Sequence, residues 1–314
     1  MVNSENPYVL SALDHAEIRD VIFSENLGRC TTQEQPRAFI TGGQPGAGKS
    51  LLAEIAKTEL REQGGYLVID ADRYRNKHPL YGYLQQTEPT QAANYVHKDA
   101  GMWATELKDK GIQERYNVLI DQTSKDPDAL LKLGRELREA GYRVELHILA
   151  VSAQISEQRI HSRYENQMAV AGFGRFATKD NHDYAYNALP LTVSAAEEEQ
   201  AVDRIVLYDK NSHVFYENRL LEGQWSNSSR AAEALIAERH KPLTAQEQAE
   251  FVKTYDKLVG MAEARNAPAD ELKTLKSLQV KAHSMQQAST LKKPIDERPK
   301  AGFSMSNKPS MRMK

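Results

Sequence analysis

The run Gly43-Gln44-Pro45-Gly46-Ala47-Gly48-Lys49-Ser50 constrains this chain more than any other feature. It meets the pattern Gly-x-x-x-x-Gly-Lys-Ser in full, between an apolar strand-like segment ending near Thr41 and a helical pattern beginning at about Lys49. Glycines at 43, 46 and 48 let the backbone bend so that successive N–H groups turn inward on phosphate oxygens, and the helix that follows adds the positive end of its dipole. Lys49 supplies a point charge to the β- and γ-phosphates, and the Ser50 hydroxyl completes a Mg²⁺ site. The expected ligands are therefore ATP and Mg²⁺.

Around this loop, short β-branched runs alternate with helical patterns. The runs are 37–41, 66–70, 116–121, 144–149 and 204–208, and the helical stretches are 50–63, 127–140 and 152–164, with glycines at 64, 65 and 141 where C-caps belong. That alternation predicts an α/β fold: a P-loop kinase-like parallel sheet with helices on both faces. A helix is expected at 11–24, a hairpin from 205–208 to 214–216, and a closing helix at 229–240. Beyond Lys241 the pattern changes to charged helices at 244–264 and 270–287, then a basic, proline-bearing stretch almost free of aliphatics. The expected organisation is a kinase domain over 1–240, a helical extension over 241–288 and a disordered tail over 289–314. A solvated tail is the simpler reading of its basic bias.

The bulk numbers set limits. The 314 residues carry 41 basic and 43 acidic side chains, for a net charge of −2, which argues against bulk attraction to nucleic acid. One cysteine, Cys30, cannot form an internal disulfide and fits a reducing compartment. With no signal-peptide layout at the N-terminus and no apolar run of about 18 residues, the expected location is cytoplasmic, with no membrane contact.

A phosphate loop alone does not separate kinases from switches and motors. Asn76-Lys77-His78-Pro79 lacks the aspartate of a guanine-reading motif, and a chain of this layout offers little for a large oligomeric ATPase. In kinases of this architecture a carboxylate just past the second strand accepts the acceptor hydroxyl's proton. Ile69-Asp70-Ala71-Asp72 offers two; Asp72 is the candidate base, while Asp70 reads equally as a capping acid. Asp121, ending the third strand, stands where a Walker B carboxylate or an acceptor-binding acid belongs. Arg163, read as lying at the end of a helix, and Arg175, in a glycine-bearing loop, could stabilise charge on the transferring phosphoryl group.

Taken in order, the segments 42–50, 69–79, 116–121, Arg163-Tyr164-Glu165 and Arg175-x-Ala-Thr-x-x-x-His-Asp (175–183) resemble the zeta toxin family. Members are bacterial toxins of toxin–antitoxin systems that phosphorylate a hydroxyl of UDP-N-acetylglucosamine with ATP. The resemblance covers roughly residues 10 to 240. It implies that Lys49 and Ser50 hold nucleotide and Mg²⁺ and that Asp72 is the base. It implies further that Arg163 and Arg175 bind the transferring phosphate and that Asp121 and Thr123 contact the sugar nucleotide. The family's Glu-Gly-Thr is Asp121-Gln122-Thr123 here, a change that could tune the acceptor to another UDP-sugar. A family glutamate on the preceding helix aligns with Thr105 or, after a one-residue shift, with Glu106.

The resulting expectation is a kinase of UDP-N-acetylglucosamine or a related UDP-sugar, held inert by a small helical antitoxin. The 11–24 helix is a candidate docking surface for that antitoxin, or else simply packs on its own sheet. The alternatives are a kinase of another hydroxyl, such as a nucleic-acid end or a small molecule, and a catalytically silent nucleotide-binding protein.

Overall fold

The computed structural model describes residues 6–88 and 91–291, from 289 onward as backbone alone. Five parallel strands form its centre: β1 Arg37–Gly42, β2 Leu67–Ile69, β3 Val118–Ile120, β4 Arg143–Leu149 and β5 Arg204–Tyr208. The strands β6 Val214–Leu221 and β7 Gln224–Trp225 extend the sheet antiparallel, giving the order β2-β3-β1-β4-β5-β6-β7. The helices are α1 Ala12–Leu27, α2 Ser50–Arg61, α3 Ala71–Tyr74, α4 Tyr81–Thr87, α5 Ala92–Tyr95, α6 His97–Gln113, α7 Pro127–Glu139, α8 Ala153–Ala171, α9 Lys179–Glu198, α10 Ala231–Arg239, α11 Ala245–Ala264 and α12 Ala269–Leu291.

The central strands are nearly continuous apolar runs because both faces are covered. Alternation along β1 sends Ala38 and Ile40 to one face and Phe39 to the other. The first face packs on Ile22 of α1, Trp103 and Leu107 of α6, Leu130 and Leu137 of α7, Leu189 and Val193 of α9, and Leu235 of α10. The second packs on Leu52, Ala56 and Leu60 of α2. Helix α1 therefore sits on its own sheet, while its Leu13 and Val21 stay exposed.

Two strands are shorter than the sequence suggests. β2 stops at Ile69 because Asp70 turns out to cap α3, accepting the Asp72 amide at 2.9 Å. β3 stops at Ile120, one residue before Asp121. The expected helix 152–164 instead runs on as α8 to Ala171, closed by Gly172 at φ +76°. Arg163 thus lies within a helix rather than at its end.

The sheet extends from β1 in both directions: the chain crosses first to the edge strand β2 and returns to β3 on one side, then passes to β4 and β5 on the other. Loops at the carboxyl ends of β1, β2 and β3 therefore converge on one crevice.

Beyond α10, a capping box of Thr244 and Glu247 starts α11. With α12 it builds a small core of Phe251, Tyr255, Leu258 and Leu275. This pair is pinned to α8: the Gln158 amide donates to the Phe251 carbonyl at 2.7 Å, and Arg265 makes a two-point ion pair with Glu165 at 2.9 Å. The basic tail expected over 289–314 lies, from 292, outside the described residues. No helix of the described residues is long and apolar enough to cross a membrane.

Candidate active site

The phosphate loop leaves β1 and is fixed from beneath. Gln44 is fully buried, and its side chain points away from the crevice: its amide donates to the Val151 carbonyl at 2.8 Å and to Ser156 Oγ at 3.0 Å. Ala47, also buried, has its carbonyl held by Arg159 at 2.9 Å. Gly46 turns at φ +79°, where a Cβ would stand 2.0 Å from the Ser156 carbonyl oxygen, so only glycine lets the loop lie against α8. The amide of Gly43 is spent on the Thr123 carbonyl at 3.2 Å and that of Ala47 on the Gln44 carbonyl at 3.0 Å. The amides of Gly46, Gly48, Lys49 and Ser50 make no hydrogen bond among the described residues. Four free donors at the head of α2 are the inventory a phosphate chain requires. Of the predicted run, Gln44 and Ala47 anchor the loop, and half-buried Pro45 lies between Gln44 and Gly46.

Lys49 reaches back over this cradle, Nζ donating to the Gly43 carbonyl at 3.2 Å. Burial pushes its pKa down; Asp121, Asp72 and Asp70 oppose that shift, and Arg175 adds to it. These five side chains thus share one electrostatic environment, as a phosphoryl-transfer centre needs.

The three predicted acids have separate tasks. Asp70 caps α3, and burial, with Asp121 and Asp72 nearby, raises its pKa. Asp72 is clamped: its two carboxylate oxygens meet Arg75 and Arg175, each at 2.5 Å. Burial would raise its pKa, but the two arginines outweigh that and hold it below the ordinary carboxylate range. Asp121 accepts the Thr41 hydroxyl at 2.7 Å, tying the end of β3 to the strand that feeds the loop. Ser50, Asp70 and Asp121 line one depression with Glu54, Lys57 and Arg73. An exposed hydroxyl beside two acids suits Mg²⁺, which takes few protein ligands and completes its octahedron with phosphate oxygens and water. Among the described residues no cluster of three or more His, Cys, Asp or Glu is placed to hold a metal ion by itself.

Arg163 and Arg175 come from α8 and the loop after it. Arg175 is half exposed, its amide held by Gln167 at 2.7 Å. That loop is pinned where Gly174 lies against Tyr164, too close for any Cβ, and Phe176 meets the Tyr164 ring edge-on. The Nε of Arg163 is buried without a partner, and burial, with Arg175 nearby, lowers its pKa. A half-buried guanidinium with an unspent donor beside Asp72 and Arg175 suits an anion at that place.

Thr123 joins this centre through its backbone. Thr105 and Glu106 share a separate depression along α6, with His97, Lys98 and Met102, and among the described residues neither bonds to Lys49 or Asp72. The Thr105 hydroxyl is returned to the Gly101 carbonyl, whereas the Glu106 carboxylate meets His15 of α1 at 3.3 Å. His15 in turn bonds buried Asp99 at 3.1 Å and stacks on Trp103.

Sequence reasoning missed Arg75, Thr41, Arg159 and His15. Arg75 was legible as the (i, i+3) partner of Asp72 once α3 is drawn as a helix. The others depend on packing between distant segments.

A profile of the zeta toxin family matches residues 22–220. The toxin PezT of Streptococcus pneumoniae is 31% identical over 208 residues, 62% of this chain and 81% of that protein. A zeta toxin of Enterococcus hirae is 29% identical over 58% of this chain and 64% of its own length. Among solved structures, that of the PezAT chromosomal toxin–antitoxin system of S. pneumoniae superimposes with a TM-score of 0.69 at 24% identity, over 82% of this chain and 99% of the other. The AvrRxo1-ORF1:-ORF2 complex with ATP gives 0.52 at 13% identity, over 86% of this chain and 84% of that one. The parallel sheet, the loop and the crevice are thus those of a kinase-like toxin fold, and the chain belongs to the zeta toxin family.

Proposed function

We propose that this chain is a kinase that transfers the γ-phosphoryl group of ATP to a sugar hydroxyl of UDP-N-acetylglucosamine or a related UDP-sugar, and that it acts as the toxin of a toxin–antitoxin pair. One observation carries the reading: four unspent amides and Lys49 face a crevice in which an ionised aspartate, Asp72, is held between two arginines.

In this reaction Gly46, Gly48, Lys49 and Ser50 hold the phosphate chain through backbone donors, and Lys49 adds its charge. Mg²⁺, held by Ser50 with Asp121 nearby, would supply charge neutralisation on the phosphates. Arg163 and Arg175 balance the negative charge that spreads over the transferring group. Asp72 takes the proton of the acceptor hydroxyl, which requires that Arg175 leave it for the phosphate while Arg75 keeps it ionised and oriented. Asp121, Thr123 and Glu106 are the proposed contacts to the sugar nucleotide. Residues 1–240 form the proposed catalytic unit, and 241–288 an extension braced on α8. The ATP named with the AvrRxo1 complex and the antitoxin of the PezAT system support nucleotide and antitoxin ligands for this chain.

The test is a mass-spectrometric screen of nucleotide-sugars incubated with the protein, ATP and Mg²⁺. A UDP-sugar heavier by one phosphoryl group is the expected product. If every nucleotide-sugar returns unmodified while ATP still binds, the substrate assignment is wrong.

A further inference from the structure

Arg239, the last residue of α10, lies beyond the segment matched by the family profile. It is 3% exposed, and no carboxylate pairs with it among the described residues. Its guanidinium is spent on neutral groups. One nitrogen donates to the Tyr186 carbonyl at 2.7 Å, and the plane lies 4.2 Å over the Tyr186 ring. That carbonyl lacks its helical donor because the residue four positions on is Pro190, which has no N–H. A second nitrogen donates to Gln44 Oε1 at 2.9 Å, and Nε has no partner.

Satisfying the Tyr186 carbonyl needs one neutral donor, not a cation. A buried charge without a counter-charge costs several kcal/mol and is ordinarily replaced or paired. The missing negative charge has one natural source, the anion expected in the loop that Gln44 belongs to. Gln44 is also the loop's fixed point: its amide nitrogen is tied to α8, and its oxygen is tied only to Arg239. We propose that Arg239 is a positioning residue for nucleotide binding: from beneath the phosphate loop it holds Gln44 and supplies a permanent positive charge that the polyphosphate neutralises. The inference rests on the proposed ATP site and adds to it a residue that never touches the ligand. It also assigns a task to the segment after residue 220, for Arg239 is where that segment meets the loop.

The test separates charge from packing. Arg239→Lys keeps the charge and loses the forked geometry, whereas Arg239→Gln keeps amide donors and loses the charge. ATP affinity is read by titration with a fluorescent ATP analogue and, independently, as the rise in Tm on adding ATP and Mg²⁺. The Gln variant should bind on the order of tenfold more weakly than the Lys variant, the effect of one poorly screened charge, while the two have similar Tm without ligand. Equal affinities in the two variants, whatever their stability, would show that Arg239 is only a strut and overturn the proposal. Should Gln prevent folding, Arg239→Met in the ATP-induced Tm shift replaces it, and a shift equal to that of Lys counts against the proposal equally. Wild-type protein that ignores ATP sinks the proposed function along with it; wild-type binding with indifferent variants sinks this inference alone.

Discussion

Gly46→Ala tests the geometry of the phosphate loop because Gly48→Ala offers a matched control two residues away. Both glycines hold positive φ, +79° and +100°, so both substitutions carry the backbone penalty of a non-glycine residue there, about 1–2 kcal/mol. They differ in what the new methyl meets. At Gly48 the nearest atom is Arg159 Nη1 at 3.5 Å, an ordinary contact on a movable side chain. At Gly46 it is the Ser156 carbonyl oxygen at 2.0 Å, with Ile160 Cγ1 at 3.0 Å, and that oxygen belongs to a helix backbone that cannot rotate away. Overpacking of this kind adds about 1–3 kcal/mol, so Gly46→Ala carries about 2–5 kcal/mol in all. The strain has two outlets. If the loop stays seated, Tm falls by roughly 4–15 °C, at about 2–3 °C per kcal/mol for a large domain. If the loop lifts off α8, Gln44 leaves its partners, the four amides lose their convergence and ATP affinity drops instead. Thermal melts with and without ATP·Mg²⁺ measure both. Gly46→Ala should be clearly worse than Gly48→Ala in at least one; identical melts and identical ATP shifts would refute the claim that contact with α8 shapes the cradle.

Asp72→Asn should leave ATP affinity within about threefold of wild type and lower kcat by about 10²–10⁴-fold, the range for loss of a general base, in a coupled ADP-release assay with whichever nucleotide-sugar the mass-spectrometric screen identifies. The arginines hold Asp72 below the ordinary aspartate value of 3.8, so in the free enzyme it stays ionised down through that value. The acid limb of kcat/KM should therefore fall below pH 4, and a limb near pH 6 would point to another group as the base. Away from the site, Glu145 is buried in the sheet between Arg37, Arg204 and His147. Burial alone would raise its pKa, but those partners hold it far below the ordinary 4.5. Its contribution to stability is thus present above pH 4.5 and lost as pH falls through the depressed folded value. Glu145→Gln should lower urea stability at pH 7 by about 2–4 kcal/mol and flatten the loss of stability on acidification, both read from denaturation midpoints.

The fold was legible because its signals are local. Each of the five parallel strands announces itself as an apolar run with β-branched residues, whereas the two-residue β7 gives no such signal, and the loop residues sit where strand, turn and helix meet. Strand ends were harder, since Asp70 reads alike as the last strand residue and as a helix cap; only its bond to the Asp72 amide decides. The length of α8 was hidden because Gln167 and Met168 give no apolar periodicity, and the helix stops at a glycine that looked like part of a loop. Within the site, residues contributed by contiguous motifs, Lys49, Asp72 and Asp121, could be named from spacing. Those contributed by packing could not: Gln44 reads as a loop residue, and nothing near it in sequence says that Arg239, 195 residues on, will meet its side chain.

In the proposed reaction the clamp on Asp72 would reconcile two demands that conflict in a kinase. A general base must be ionised and aimed, yet an ionised base beside bound ATP invites water as the acceptor. Arg175 is half exposed and mounted on a loop, whereas Arg75 is nearly buried and follows directly from α3. The two partners therefore differ in how readily they leave. In the proposed reaction the polyphosphate offers Arg175 more negative charge than a single carboxylate does, so arrival of the donor draws it off Asp72, while Arg75 remains to keep the carboxylate charged and oriented. Arg163, its Nε without a partner among the described residues, shares an electrostatic environment with Arg175 and Asp72 and in that reaction would meet the same anion. In that proposed reaction the half-exposed Arg175 would thereby couple donor binding to release of the base. The acceptor hydroxyl then needs only to fill the position that Arg175 has vacated.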